Sequence, residues 1–169
     1  PSGGLFTITG LTDLRINMPV IGRTIDLSAL RLNKLSALGM CKIKEVPRML
    51  VSLSIQTNPS HINLSRNTSL THLTVMYSPN VNGYETLTRL QWLHLCKNTY
   101  LNSTDIAAMT RVQSLHLESM VLTHIPTAVT DIWLLDCGDV SLANCTLLKK
   151  LSSHGGTRIR NIPTSVSVI

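Results

Sequence analysis

His94 and Cys96 stand two residues apart in the stretch LQWLHLCKN (90–98), with Trp92 beside them. A cysteine near a histidine is the minimum for a thiol nucleophile with its general base. The same side chains, with His72, His116 and Glu118, are also zinc ligand types. The spacing suits neither chemistry. On an extended strand, residues two apart share a face but lie about 7 Å from each other, too far for direct proton transfer. No glycine-rich turn stands close enough to supply an oxyanion hole. The chain contains no C-x-x-C and no H-x₃-H spacing, and ligands on parallel strands point side by side rather than towards one centre. The expectation is therefore no enzyme, no metal, no cofactor and no small-molecule substrate.

The leucines around these residues explain them better. LQWLHLCKN fits L-x-x-L-x-L-x-x-N/C, whose positions are numbered one to nine below. The same template fits LVSLSIQTN (50–58) and VTDIWLLDC (129–137) throughout, LTHLTVMYS (70–78) with Ser78 at the ninth position, and VQSLHLESM (112–120) at Val112, Leu115 and Leu117. Leu11, Leu14 and Ile16 begin it upstream, and Leu148 and Leu151 continue it in LKKLSSHGG. A second motif precedes several copies: VPRMLVSL (46–53), IPTAVTDI (125–132) and IPTSVSVI (162–169) place a proline just before a strand, where a missing amide donor does little harm. Between 25 and 47 two registers fit, LSALRLNKL (27–35) and LSALGMCKI (35–43), so the first aliphatic there is Leu27 or Leu35.

Positions four and six alternate with polar residues, the period of a strand. No such strand is stable alone; stacking the copies buries their leucines in one continuous core. The residues at position nine, Asn58, Asn98 and Cys137, turn the chain inward, where an asparagine satisfies backbone groups and a buried thiol is at home. The linking segments are short, which predicts extended or 3₁₀ stretches. Residues 103–112 (STDIAAMTRV), capped by Ser103 or Thr104, and then 141–151 (SLANCTLLKKL) are the candidate short helices.

On these motifs the chain resembles the leucine-rich repeat family over nearly its whole length. The resemblance implies an α/β repeat solenoid with a parallel β-sheet on the concave face and mostly extended, 3₁₀ or short helical convex segments. It implies one domain, 1–169, of about seven or eight irregular repeats. The last copy stops at Ile169 in mid-template, which reads as a fragment lacking terminal caps. The family commonly binds other proteins on its concave surface, so the resemblance implies a protein-protein interaction module.

Strand geometry turns positions three, five and seven away from the core. Both tryptophans and three of the six histidines fall there. Position three holds Asp13, Ser52, His72, Trp92, Ser114 and Asp131. Position five holds Arg15, Ser54, Thr74, His94, His116 and Trp133, and position seven Asn17, Gln56, Met76, Cys96, Glu118 and Leu135. His94, His116 and Trp133 share one column, about 5 Å apart from strand to strand. The candidate partner site is His72, Thr74, Met76, Trp92, His94, His116, Glu118 and Trp133, because exposed tryptophans mark interface hot spots. The bland alternative is that Trp92 and Trp133 lie flat and merely cover the sheet.

The net charge of +6 permits an anionic partner such as RNA, although the basic residues are scattered. A scaffold component of a large assembly, such as a ribonucleoprotein with basic edges contacting RNA, is the second function class. No apolar run reaches the roughly 18–20 residues of a membrane helix, so no membrane insertion is expected. No signal peptide is visible, and the four cysteines form no obvious pairs, which favours an intracellular protein. Four N-x-S/T sequons, at Asn63, Asn67, Asn102 and Asn144, argue for the cell surface or secretion.

Overall fold

The computed structural model of the chain describes residues 10–18, 24–40, 42–57, 61–78, 80–97, 109–121 and 125–168. The alternating strands of the template do what their period requires. Nine of them pair side by side and parallel in one sheet: β1 (Asp13–Met18), β3 (Lys34–Gly39), β5 (Ser52–Gln56), β7 (His72–Met76), β9 (Trp92–Cys96), β10 (Ser114–Glu118), β11 (Asp131–Leu135), β13 (Lys150–His154) and β15 (Ser167–Val168). Strand follows strand in chain order, so each turn of the solenoid contacts its two neighbours. Pairs of very short strands lie away from the long sheet: β2 (Thr24–Asp26) with β4 (Lys42–Glu45), β6 (Ile62–Asn63) with β8 (Val81–Asn82), and β12 (Asp139–Ser141) with β14 (Arg158–Arg160).

From β5 to β11 the strands occupy template positions three to seven, in the register expected. Trp92, Leu93, His94, Leu95 and Cys96 pair in order with Ser114 to Glu118. Positions one, four and six are buried; Leu90, Leu93, Leu95, Val112, Leu115 and Leu117 all have 0% exposure. Each such side chain stabilises the fold by about 1.5–3 kcal/mol. The turns are locked by a repeated backbone device. The carbonyls of Thr12, Asn33, Val51, Thr71, Gln91, Gln113 and Thr130 each accept two successive N–H groups from the next turn, at 2.7–3.2 Å. The intervals run from 17 residues (Gln113 to Thr130) to 22 (Gln91 to Gln113).

Between 25 and 47 neither expected register is correct. Leu32 is position one, Leu35 position four and Ala37 position six, with Leu35 and Ala37 inward on β3. Leu27 is also buried, but it follows the short strand β2, and its N–H bonds Glu45. The pattern misleads here because a small alanine fills an inward position while Leu27, Leu30 and Leu38 compete for the template.

The α/β class is corrected too, since the described residues are nearly all β with a single 3₁₀ turn, Tyr84–Thr86. The expected helix over 141–151 does not form. Instead Leu142, Cys145 and Leu148 bury at intervals of three, joined by N–H bonds from Cys145 to Leu142 and from Leu148 to Cys145. Two successive tight turns, closed by bonds three residues apart, aim all three side chains inward. Of the other candidate helix, residues 103–108 lie outside the described residues, and Val112 closes a turn onto Met109.

Every strand of the long sheet from β3 to β13 ends in a left-handed residue at position eight. These are Gly39, Thr57, Tyr77, Lys97, Ser119, Asp136 and Gly155, with φ between 49° and 90°. From Thr57 to Asp136 the N–H of each corner residue donates to the last strand residue of the next turn, at 2.8–3.3 Å. The hydrogen bonds offset a conformation that costs a non-glycine residue roughly 1–2 kcal/mol. At Gly155 a side chain would have to displace the Asp136 carboxylate, which accepts the Gly156 N–H at 2.8 Å. The expected turn residues Asn58 and Asn98 lie outside the described residues. Cys137 is buried as expected, its thiol donating to the carbonyls of Leu117 and Leu135, each at 3.3 Å.

Candidate functional site

Parallel pairing in register brings the outward residues of successive strands within ring contact. His72 stacks on Trp92 at 6.4 Å. Trp92 meets His94 edge-on at 5.8 Å and His116 at 5.6 Å. His94 and His116 are 5.8 Å apart. His116 stacks on Trp133 at 6.0 Å, and Trp133 touches His154 at 6.2 Å. The six rings form one unbroken ladder. It runs diagonally, from position three on β7 and β9, through position five on β9, β10 and β11, to position seven on β13. A strand-by-strand column gave only its middle.

Every expected site residue lies on this outward face of the long sheet. His72, Trp92, His94, His116 and Trp133 belong to the ladder. Thr74 and Met76 lie beside it on β7, partly buried, with Thr74 paired in register with His94. Glu118 also flanks it, on β10. His154 was missed. Its repeat has Ser153 at position six where an aliphatic was expected, so the copy looked weak, although Leu148 and Leu151 already placed His154 at position seven.

Local partners fix the ladder's ends. Thr71 Oγ1 and His72 Nδ1 are 2.8 Å apart, and Ser152 Oγ and His154 Nε2 are 3.0 Å apart. Asp131 lies beside His116 and Trp133 and pairs with Lys150 at 3.5 Å, an exposed contact of little energetic weight. Burial holds the pKa values of His94 and His116 below the usual imidazole range, against weaker opposing pulls from Glu118 and Asp131 respectively. His116 lowers His94 further. The ring faces of Trp92 and Trp133 lie against neighbouring histidines. That leaves less open ring face for a stacking base.

Cys96 takes the outward register position but is fully buried. The side chain of Tyr77, at the left-handed corner, hydrogen-bonds it, and Lys97 Nζ sits 5.4 Å from the Tyr77 ring centre. Burial raises the Cys96 pKa, so the thiol keeps its proton and is a poor nucleophile. Among the described residues no group of His, Cys, Asp and Glu converges to hold a metal ion. No described helix is long and apolar enough to cross a membrane.

Two other features bear on function. On the short-strand side, a hollow of about 540 Å³ is lined by Lys44, Glu45, Arg48, His61, Arg66 and neighbours. Among the sequons, Asn63 and Asn144 are exposed, whereas Asn67 is 1% exposed and donates its amide to the Pro47 carbonyl at 2.7 Å. Asn102 lies outside the described residues. Cys96, Cys137 and Cys145 are free and buried; Cys41 lies outside the described residues.

Fold and face together define a parallel β-solenoid that carries an aromatic and histidine stripe on its long sheet. No family model matches the sequence, and no curated protein matches it.

Proposed function

We propose that the chain is a leucine-rich repeat-type interaction module whose long sheet binds another protein through the ladder from His72 to His154, without catalysis. The observation that carries this reading is the continuity of six rings across five adjacent strands of one outward face. Nothing in the fold needs large rings there, since Ser52 and Ser54 hold the same positions on β5. Two tryptophans in such a stripe are the kind of anchor that dominates protein interfaces. Thr74, Met76 and Glu118 form its border.

The test is affinity capture with the chain and with Trp92→Ala and Trp133→Ala, read by mass spectrometry. A protein held by the parent chain at high salt and lost by both variants supports the reading. Binding indifferent to both substitutions ends it.

The basic hollow favours a second reading, a scaffold that meets RNA phosphates at Arg48 and Arg66. That binding would fall steeply with added salt and survive Trp133→Ala. We place the protein inside the cell rather than at its surface. Three buried, unpaired thiols, and a sequon asparagine used up in a buried hydrogen bond, support that.

A further inference from the structure

His94 occupies an unusual place in the ladder. Its ring packs edge-on to Trp92 and beside His116, each at 5.8 Å. Its Nε2 is buried and meets no hydrogen-bond partner among the described residues. A neutral imidazole can leave that nitrogen as a bare lone pair, with its proton on the other nitrogen. An imidazolium carries N–H on both, and the second has nothing to donate to, in a stack that also desolvates the charge. We propose that the ladder is a proton-operated switch: His94 keeps its place between Trp92 and His116 only while neutral, and protonation drives its ring out and loosens the exposed face around Trp92.

The charged and titratable groups around it come from five strands. β7 brings His72, tied to Thr71, and Tyr77 follows that strand. β9 itself carries Cys96, with Lys97 after it. β10 contributes His116 and Glu118. Behind His116, β11 supplies Asp131, already paired with Lys150 of β13. Glu118 attracts a charge on His94 and Asp131 one on His116, yet burial outweighs both. A proton on either central histidine also opposes one on the other. His72 and His154 differ in place, being exposed with a hydroxyl partner each. The switch therefore works on the acid side of about pH 6.5, the ordinary histidine midpoint. It belongs to the folded chain whatever the face binds.

The experiment is a pH titration of the full chain by NMR, following imidazole Cε1–H and indole Nε1–H signals. The chain has two tryptophans, so Trp133→Phe assigns both indoles. His94 is expected to titrate below pH 6.5, with the Trp92 indole signal moving at the same midpoint. That movement should vanish in His94→Phe and persist in His154→Phe. A His94 midpoint at or above 6.5, a Trp92 signal that stays still as His94 titrates, or a Trp92 transition kept in His94→Phe overturns the proposal. The first two readings come from the unsubstituted chain, so they decide the matter even if His94→Phe fails to fold.

Discussion

The outward face of the long sheet has two unlike halves. Across β3, β5 and β7 position five holds Ser36, Ser54 and Thr74, small hydroxyls, and only His72, at position three of β7, adds a ring there. Across β9, β10 and β11 position five holds His94, His116 and Trp133, which with Trp92 on β9 and His154 on β13 rise as a stack of rings. Beneath both halves the same backbone ladder continues without a break, and the inward residues are equally buried: Leu53 and Ile55 on one side, Leu93 and Leu95 on the other. The halves differ in what they offer to solvent and hardly at all in what holds them. Folding is carried by the inward leucines and the repeated hydrogen bonds; the outward columns are free to serve something else.

That division can be broken experimentally. The largest effect is expected where the halves should agree. Leu53→Ala and Leu93→Ala should each cost about 2–5 kcal/mol in urea unfolding; a cost confined to one half would mean that the core is not shared. A partner should feel the opposite. Trp133→Ala should weaken binding by about 30-fold or more, a loss of about 2 kcal/mol, with the circular dichroism spectrum unchanged, while Ser54→Ala leaves affinity within about two-fold. If Trp133→Ala unfolds the chain, the ring is core and the face has been misjudged.

Asn67 belongs to neither face. Asn67→Ala should cost about 1–3 kcal/mol, because the buried Pro47 carbonyl loses its donor; thermal melting of the variant checks this. The left-handed corners occur in both halves, so Thr57→Gly after β5 and Ser119→Gly after β10 should each raise stability by about 1 kcal/mol. A gain at one and a loss at the other would show that the corners are not equivalent.

The smallest effect is a pH trend peculiar to the ring half. His94 and His116 have lowered pKa values when folded, so the unfolded chain binds more protons as pH falls through about 6.5. Stability should fall over that window and level off once the folded histidines titrate. Denaturant midpoints from pH 7.5 to 5 would show it, and the fall should shrink in His94→Phe/His116→Phe.

The halves were not equally legible beforehand. From β5 to β11 strong aliphatics at positions one, four and six left one register, and the outward assignments of His72, Trp92, His94, His116 and Trp133 follow from it. In β3 a single alanine at an inward position blurred the pattern, so Leu32 was passed over for Leu27 and Leu35. In β13 Ser153 hid His154, the last ring of the ladder. Helix periodicity misled at 141–151, because three-residue spacing of Leu142, Cys145 and Leu148 belongs to tight turns as readily as to a helix.

By itself the sequence determined the repeat, the inward core and the sidedness of nearly every strand, because period-two burial is a local property that each copy states again. Tertiary structure alone decided the rest. The diagonal contact of rings at positions three, five and seven depends on how neighbouring turns lie against each other. So do the enclosure of Cys96 beneath Tyr77, the use of Asn67 by the preceding turn, and the orphaned nitrogen of His94. Each arises between residues about twenty apart or across a turn, and pairwise distance in space is what a one-dimensional pattern does not carry.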